Sequence, residues 1–340
     1  MLKKILAFIV LVLLVSSVAG YFFLFSPPSK ETENIRIVVK KGAIDSETIA
    51  ALEENKLFRS RYVFEKLLNY YCRKPNCDSK NIIIPGGYML NKNLRVWRLV
   101  KQILNGPYQK WVTIPPGKRK EQTGVIIKRE LGWTDNMLLS FISSSNEGML
   151  YPDTYLFDID ADPKEISTKM ISNFNSHFTP DLQTALLQKN IRNDTALTFA
   201  SLIERESGGA EDKPVIAGII WNRIEKKMRL EIDATVQYAI TTNEINSLIA
   251  NNQSLAAEDF NFWSALPGGL VRRVNSEYNT YRIPAFPPSP ICSPSIDSLR
   301  AVAFPANTDA LYYLHSSDKQ IHTAKTYKEH LDNIEKYLNN

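Results

Sequence analysis

Two glutamates close to the end of an apolar helical run are the first candidates for chemistry. The segment from Asp194 to Gly209 reads DTALTFASLIERESGG, with a helix-start residue at one end and a double-glycine stop at the other. A carboxyl group that loses water on burial and has no cationic partner is easier to protonate, as a general acid working near neutral pH requires. Helical periodicity does not choose between Glu204 and Glu206, because both fall on largely apolar faces.

Three downstream segments carry further distinctive residues. They read IIWNRIEKKMRLEIDATVQYA from position 219, SEYNTYRIPAFPPSPICSPSIDSL from position 276 and AVAFPANTDALYYL from position 301. Together with the E-x-E-S segment they resemble the YceG-like endolytic murein transglycosylases. The recurrent pattern of that family has E-x-E-S/T, then N-R-L-x-x-x-M-x-L and D-P-T-V-x-Y, then Y-N-T-Y before L-P-P-x-P-I. The order, spacing and identities agree from Glu147 to Tyr313.

The resemblance implies a role for each matching position. Glu204, the first glutamate of the E-x-E segment, occupies the position of the catalytic glutamate, which leaves Glu206 a supporting role. The resemblance also implies a glycan cleft around Glu204, with no cofactor and no metal. The substrate-binding positions that it implies are Asn222, Arg223, Thr235, Tyr238, Tyr278, Asn279, Thr280 and Tyr281.

Departures from the family pattern concentrate in the proline-rich loop. Ala285 and Ser289 stand where glycines flank the double proline of the family, and Ser295 stands where another glycine follows a proline. Each replacement removes easy access to positive φ, so we expect a differently shaped loop. The C-terminal segment IHTAKTYKEH matches the H-x-F-S of the family loosely, and neither His322 nor His330 is assigned a catalytic role.

The implied reaction needs one carboxylic acid. The acid protonates the glycosidic oxygen that leaves N-acetylmuramic acid, and its conjugate base takes a proton from the 6-hydroxyl of the same sugar, which gives a 1,6-anhydro end. A muramidase-type hydrolase would need a second carboxylate, for which Glu231 is the candidate and Asp233 a neighbour. A scaffold that binds peptidoglycan without cutting it is the third reading.

The N-terminus predicts a membrane anchor. Lys3 and Lys4 precede an apolar stretch from Ile5 to Phe25, which has about the length of a bilayer-spanning helix. The positive-inside rule keeps the two lysines in the cytoplasm and leaves the rest of a single-pass chain on the outer face of the cell membrane. A cleaved signal peptide is the alternative, because small residues at 16–20 could form a cleavage site.

The predicted fold class is α+β, in two parts behind the single transmembrane helix. We expect a cytoplasmic stub and anchor over residues 1–26, a linker over 27–34, a small LysM-like α/β module over 35–117 and a larger mixed α+β catalytic domain over 118–340. The segments IRIVVKKGA, IPGGYML and VTIPPGKR carry the resemblance to the LysM-like part of the same wall enzymes.

Charge and cysteine content narrow the partners. The net charge of +5 over 340 residues forms no basic stripe, which argues against nucleic acid. The expected partners are peptidoglycan glycan strands, the cell membrane and the peptidoglycan synthesis machinery. Cys72 and Cys77 flank a turn and could form a small-loop disulfide in an oxidising exterior, which leaves Cys292 unpaired.

Overall fold

The first element of the chain is an apolar helix. The computed structural model describes residues 2–72, 81–255, 260–266 and 269–338, and Cys77 lies outside these ranges. Helix α1 (Leu2–Phe25) contains the predicted spanning segment. Within the described ranges it is the one helix long and apolar enough to cross a membrane, with a mean hydropathy of 2.6. Its length and composition fit a membrane anchor.

The chain divides into two compact units, which are described separately. The first comprises Met1–Val112 and Tyr155–Asp160, and the second comprises Thr113–Thr154 and Ala161–Asn340. Most of the predicted small module, residues 35–117, lies in the first unit. The sequence did not predict that residues 155–160 belong to the first unit.

The first unit is built on a four-stranded sheet in the order β1-β2-β3-β4. Strands β1 and β2 pair antiparallel with Ile37 opposite Tyr88, and β3 adds to β2 in the same antiparallel sense. One face of α4 carries Val96, Leu99, Val100 and Ile103, which are buried in the core of this unit. The elements are β1 (Asn34–Val39), α2 (Asp45–Glu54), α3 (Arg61–Tyr71), β2 (Gly86–Asn91), α4 (Val96–Leu104), β3 (Gln109–Thr113) and β4 (Thr154–Asp158).

The second unit is mostly helical and ends in a two-stranded antiparallel sheet, β5 with β6. Together the two units have the mixed α+β composition expected from the sequence. The elements are α5 (Lys120–Leu131), α6 (Asp135–Ser144), α7 (Pro163–His177), α8 (Pro180–Gln188), α9 (Asn193–Glu206), α10 (Asp212–Glu225), α11 (Asp233–Ala250), α12 (Ile296–Ala303), β5 (Tyr312–His315), β6 (Ile321–Ala324) and α13 (Tyr327–Leu338).

Helix α9 lies at the centre of the second unit. It contacts α8, α10, α11 and α12, and buried apolar side chains lie on different faces, with Phe199 and Ile203 on one and Leu197 and Ala200 on another. A helix that is apolar on every side belongs in a core, where its neighbours fix its position. Apart from Asp194 in the first turn, the charged side chains of α9 lie in its last turn, at residues 204–206. The packing of the apolar turns therefore sets where both glutamates lie.

Candidate active site

Glu204 is held in a dense set of donors. Its Oε2 atom accepts hydrogen bonds from the backbone N–H of Ser295 at 2.9 Å, from Ser295 Oγ at 2.7 Å and from Ser298 Oγ at 2.6 Å. Lys213 Nζ lies 2.9 Å from the same oxygen. Ser295 precedes the first turn of α12, so the carboxylate also meets the positive end of that helix.

These donors determine the charge of Glu204. Burial alone would raise the pKa of its carboxyl group, but the hydrogen bonds from Ser298 and Ser295 and the charge of Lys213 outweigh burial and lower the pKa below its usual value. An ionised carboxylate with several donors and a cation is a stable arrangement inside a protein. The ionised carboxylate of Glu204 on α9 therefore links this helix to α10 through Lys213 and to α12 through Ser295 and Ser298.

Glu206 has a different environment. Its Oε2 atom accepts a hydrogen bond of 2.6 Å from the hydroxyl of Tyr313 in β5. Part of the residue remains exposed to solvent. Burial of the rest of the residue removes hydration and raises the pKa of the Glu206 carboxyl group. The hydrogen bond from Tyr313 lowers this pKa by less, and the negative charge of Asp233 raises it further. The net result is a carboxyl group that keeps its proton to higher pH than an ordinary glutamate.

Two more side-chain pairs lie in the surroundings of Glu206. The hydroxyl of Tyr281 donates to Asp233 Oδ1 at 2.7 Å, and the charges of Asp233 and Glu206 both act on Tyr281. His315 Nε2 lies 3.0 Å from Asp212 Oδ2, and His315 follows Tyr313 by two residues on β5. The last turn of α9 thus opens on a cluster of carboxylates, phenols and one imidazole. Such a cluster can hold and transfer protons.

The comparisons with known proteins agree with this arrangement of elements. The model of the YceG-like family matches residues 37–336. The chain belongs to the YceG-like family. An endolytic murein transglycosylase of Bacillus subtilis is 26% identical over 339 residues, which cover 91% of this chain and 86% of that relative.

Two further matches support the family and the fold. An endolytic murein transglycosylase of Streptococcus pneumoniae strain D39 is 26% identical over 265 residues, and the match covers 76% of this chain but 44% of that longer relative. The crystal structure of a YceG-like protein from Listeria monocytogenes aligns with a TM-score of 0.51 and 24% identity, over 89% of this chain and 99% of that one. That structural likeness shows the fold alone.

In this YceG-like chain, the Y-N-T-Y and T-V-x-Y segments meet inside the protein. Thr235 and Thr280 are fully buried with their hydroxyls 3.0 Å apart, and Thr280 Oγ1 accepts from the backbone N–H of Ile232 at 2.9 Å. Asn279 is also fully buried, and its Nδ2 donates to the carbonyls of Val271 and Val274. The polar atoms of these three side chains, which were predicted to bind substrate, form hydrogen bonds with the backbone of the surrounding loops.

The predicted N-R pair also bonds to backbone. Asn222 Nδ2 donates to the carbonyls of Thr308 and Ala310 at 2.7 and 3.0 Å. Arg223 donates to the carbonyl of Leu311 through Nε and to that of Leu230 through Nη1, both at 2.7 Å. Since β5 begins directly after Leu311, this pair positions the strand that carries Tyr313.

The remaining predicted tyrosines divide between core and site. Tyr238 packs 4.9 Å from Tyr278 between ring centroids and lies under the guanidinium of buried Arg119 at 4.0 Å. The hydroxyl of Tyr278 lies 2.6 Å from Ser289 Oγ in the proline-rich loop. Of the eight predicted substrate-binding residues, Tyr281 is the one whose side chain reaches the carboxylates near Glu206.

Glu231, the candidate second carboxylate, lies in a strained turn. Its φ is +52°, and its Oε1 atom lies 3.9 Å from Nη2 of exposed Arg272. The charge of Glu231 acts on Tyr281, whereas Asp233 is the carboxylate whose charge acts on Glu206. Among the described residues, no group of three or more His, Cys, Asp or Glu side chains is arranged to hold a metal ion.

Several functional side chains were missed in the sequence. Lys213, Ser295 and Ser298 surround Glu204, and Tyr313 binds Glu206, although they lie 9 to 107 positions away along the chain. Ser295 drew notice only as a departure from a family glycine. The segment ALYYL belongs to the family pattern and could have singled out Tyr313. No local pattern identifies the other three, because contacts between separate elements bring them together.

Proposed function

We propose that this chain is an endolytic peptidoglycan transglycosylase that cleaves bonds between N-acetylmuramic acid and N-acetylglucosamine within glycan strands. The observation that carries the proposal is Glu206, a carboxyl group with a raised pKa at the end of the central helix of a YceG-like domain. Two relatives whose sequences match most of this chain are named endolytic murein transglycosylase. Each of these facts supports the same reaction.

We assign the acid to Glu206 and not to Glu204, the position that the resemblance of the sequence to the family implies. A general acid must hold a proton when substrate arrives, and an elevated pKa favours that form. Glu204 faces four donors or cationic contacts and has a lowered pKa, so protonating it would break the links that it makes to Ser295, Ser298 and Lys213. Glu206 has one neutral donor, Tyr313, which can also bond to the protonated acid.

The reaction then proceeds with one side chain. Protonated Glu206 gives its proton to the glycosidic oxygen as the bond to the anomeric carbon of N-acetylmuramic acid breaks. The resulting carboxylate accepts the proton of the 6-hydroxyl of that sugar, whose oxygen bonds to the anomeric carbon. The product is a 1,6-anhydro end, Glu206 regains its proton, and no water is consumed. The Tyr313 hydroxyl orients the carboxyl group throughout.

The N-terminal helix supports a proposal for the place of the enzyme in the cell. Helix α1 anchors the chain, Lys3 and Lys4 stay in the cytoplasm, and both compact units face the wall on the outer side of the membrane. The first unit acts as a LysM-like module that holds glycan strands close to the membrane. Nascent strands are the substrate nearest to such an anchor, and the synthesis machinery is the partner that we expect beside them.

The test is product analysis with paired variants. Full-length protein in detergent is incubated with purified glycan strands, and the new ends are identified by mass spectrometry. We expect 1,6-anhydro ends from wild type, and a loss of at least about 100-fold in turnover for Glu206→Gln with unchanged thermal stability. Glu204→Gln places an amide N–H₂ against the Ser295 and Ser298 donors, so we expect it to lower stability before it lowers turnover per folded molecule.

Three outcomes would change the proposal. If Glu206→Gln is active and Glu204→Gln is well folded but inactive, the general acid is Glu204. New reducing ends that take up oxygen from labelled water indicate a muramidase, with Asp233 or Glu231 as the second carboxylate. If the whole protein does not cut the strands, the remaining interpretation is a scaffold that binds peptidoglycan without cleaving it.

A further inference from the structure

Arg205 lies between the two glutamates and is held by an aromatic ring. Its guanidinium carbon is 3.9 Å from the centroid of the Trp263 ring, a close cation–π contact. The indole is itself fixed, because Trp263 Nε1 donates to Gln122 Oε1 at 2.9 Å. The position of the cation is therefore set before any ligand binds.

The guanidinium of Arg205 has no acceptor. Among the described residues it makes no hydrogen bond and no ion pair, and its buried Nε–H has no partner. Other buried arginines of the same unit differ, since Arg119 bonds to Glu121 and Thr242, and Arg223 bonds to two carbonyls. A half-buried arginine without acceptors is costly, because its lost hydration is not replaced. Its remaining donors are available to an anion.

The surroundings of Arg205 bring its charge close to Glu206, the residue proposed as the acid. Arg205 is adjacent in sequence to Glu206, and their charges interact. On another side Gly117, at a φ of +75°, brings its backbone close, since a Cβ built there would lie 3.6 Å from Arg205 Nη1. The neighbouring Glu204 is neutralised by Lys213 and does not bond to Arg205. The loop, the indole and the end of α9 thus surround a cation that makes no ion pair with any residue that the structure describes, although the charges of Glu204 and Glu206 act on it.

We propose that Arg205, supported by Trp263, binds a carboxylate of the muramic acid unit or of its attached peptide on the strand that is cleaved. This inference rests on the proposed function. The two sugars of the strand differ in this chemistry, because only the muramic sugar bears a lactyl group, which is either a free carboxylate or the attachment point of an acidic peptide. A cation next to the acid thus decides which of the two alternating glycosidic bonds enters the site.

The test measures binding, so it does not depend on turnover. Full-length Glu206→Gln protein is titrated with three purified strands, namely peptide-free strands, the same strands with their lactyl carboxylates methyl-esterified, and peptide-bearing strands. Adding Arg205→Gln should weaken binding of a carboxylate-bearing strand at least about tenfold and leave the esterified strand unchanged. Arg192→Gln is the matched control, since Arg192 is an exposed arginine at the start of the same helix.

The outcomes separate the source of the carboxylate. A loss with peptide-free strands identifies the lactyl group, and a loss confined to peptide-bearing strands identifies the peptide. Equal weakening for all three strands, weakening for none of them, or no binding of any strand would overturn the inference. If Arg205→Gln lowers the melting temperature, Trp263→Phe, which keeps an aromatic ring, replaces it and should show a smaller but equally carboxylate-dependent loss. A protein that shows this discrimination yet cuts no strand would refute the proposed function and not the anion site.

Discussion

Lys213 Nζ lies 2.9 Å from Oε2 of Glu204, and the two side chains are only 9% and 7% exposed. The pair joins α9 to α10, while Ser295 and Ser298 connect the same carboxylate to α12. Charges this far from water are stable only when each has its partner. Glu204 therefore has the contacts of a structural anion, and we propose Glu206, two residues further along α9, as the acid.

The first prediction concerns the removal of the cation. Lys213→Met leaves the Glu204 carboxylate buried without its counter-ion, and we expect the free energy of unfolding to fall by about 3–5 kcal/mol. The double variant Lys213→Met with Glu204→Gln should recover a large part of that loss, because no unpaired charge remains. Chemical denaturation of the single and double variants measures both effects.

An exposed lysine supplies the control for this pair. Lys189→Met, at the end of α8, should change the free energy of unfolding by less than about 0.5 kcal/mol. Additive losses in the Lys213 and Glu204 variants would contradict a coupled ion pair.

The second prediction concerns the proton of Glu206. The Tyr313 hydroxyl lowers the pKa of the Glu206 carboxyl group by donating to its ionised form, so Tyr313→Phe should raise that pKa further. The acid is active when protonated, and turnover falls as pH rises through its pKa. The alkaline limb of the pH–turnover profile should therefore move to higher pH in Tyr313→Phe, with a lower maximum because the carboxyl group is less well oriented.

Tyr312→Phe is the control for the pH profile. Tyr312 is the neighbouring residue on β5 and packs 5.4 Å from His330 between ring centroids. Its substitution should leave the alkaline limb in place. A limb that moves to lower pH in Tyr313→Phe, or does not move, is incompatible with Glu206 as the acid.

The contrast between the two glutamates shows what the sequence could and could not predict. The helix, its apolar faces and the position of both carboxyl groups near its end follow from periodicity and the double glycine. Their protonation does not, because it depends on Ser295 and Ser298 in one case and on Tyr313 in the other. Those partners are fixed by helix and strand packing across some 90 to 107 positions.

The predicted binding residues teach a related lesson. A family pattern identifies positions that the fold requires, and it does not distinguish a side chain that touches substrate from one that holds a loop. Thr235, Asn279 and Thr280 match the pattern and are fully buried. Tyr281 matches it equally well and reaches the carboxylates. Burial, which depends on the whole fold, separates the two groups.

The third prediction concerns the support of β5. Arg223 holds the carbonyls of Leu311 and Leu230, and Tyr313 follows within two residues. Arg223→Lys keeps the charge but loses the fork that reaches both carbonyls. We expect a loss of about 1–3 kcal/mol in the free energy of unfolding and a lower turnover number at unchanged substrate affinity. Denaturation and steady-state kinetics on glycan strands measure these.

Exposed Arg229 in the same region provides the control. Among the described contacts, its side chain forms no pair of hydrogen bonds to two carbonyls such as Arg223 forms, so Arg229→Lys removes no such support. It should leave both quantities close to wild type. An Arg223→Lys protein with normal stability and turnover would show that β5 is positioned without the arginine.

The fourth prediction starts from Glu147, a partly buried glutamate of the same unit. Glu147 accepts hydrogen bonds from the backbone N–H groups of Lys120 and Gly148. Burial and the negative charge of Glu121 raise the pKa of Glu147 from 4.5 to about 8, against the smaller opposing effect of Arg119. Glu147 also lines a cavity of about 540 Å³ together with Met149 and with Leu197 of α9.

The pKa of Glu147 makes the stability of the fold depend on pH. Between about pH 5 and about pH 8 the unfolded chain has lost this proton while the folded chain keeps it, so stability falls as pH rises. Glu147→Gln cannot ionise, and its stability relative to wild type should increase by more than about 1 kcal/mol across that interval. Denaturation at several pH values measures this difference in stability. Glu165→Gln, at an exposed position on α7, is the control and should show no such change with pH. A constant difference between Glu147→Gln and wild type at all pH values would mean that Glu147 is already ionised in the folded protein.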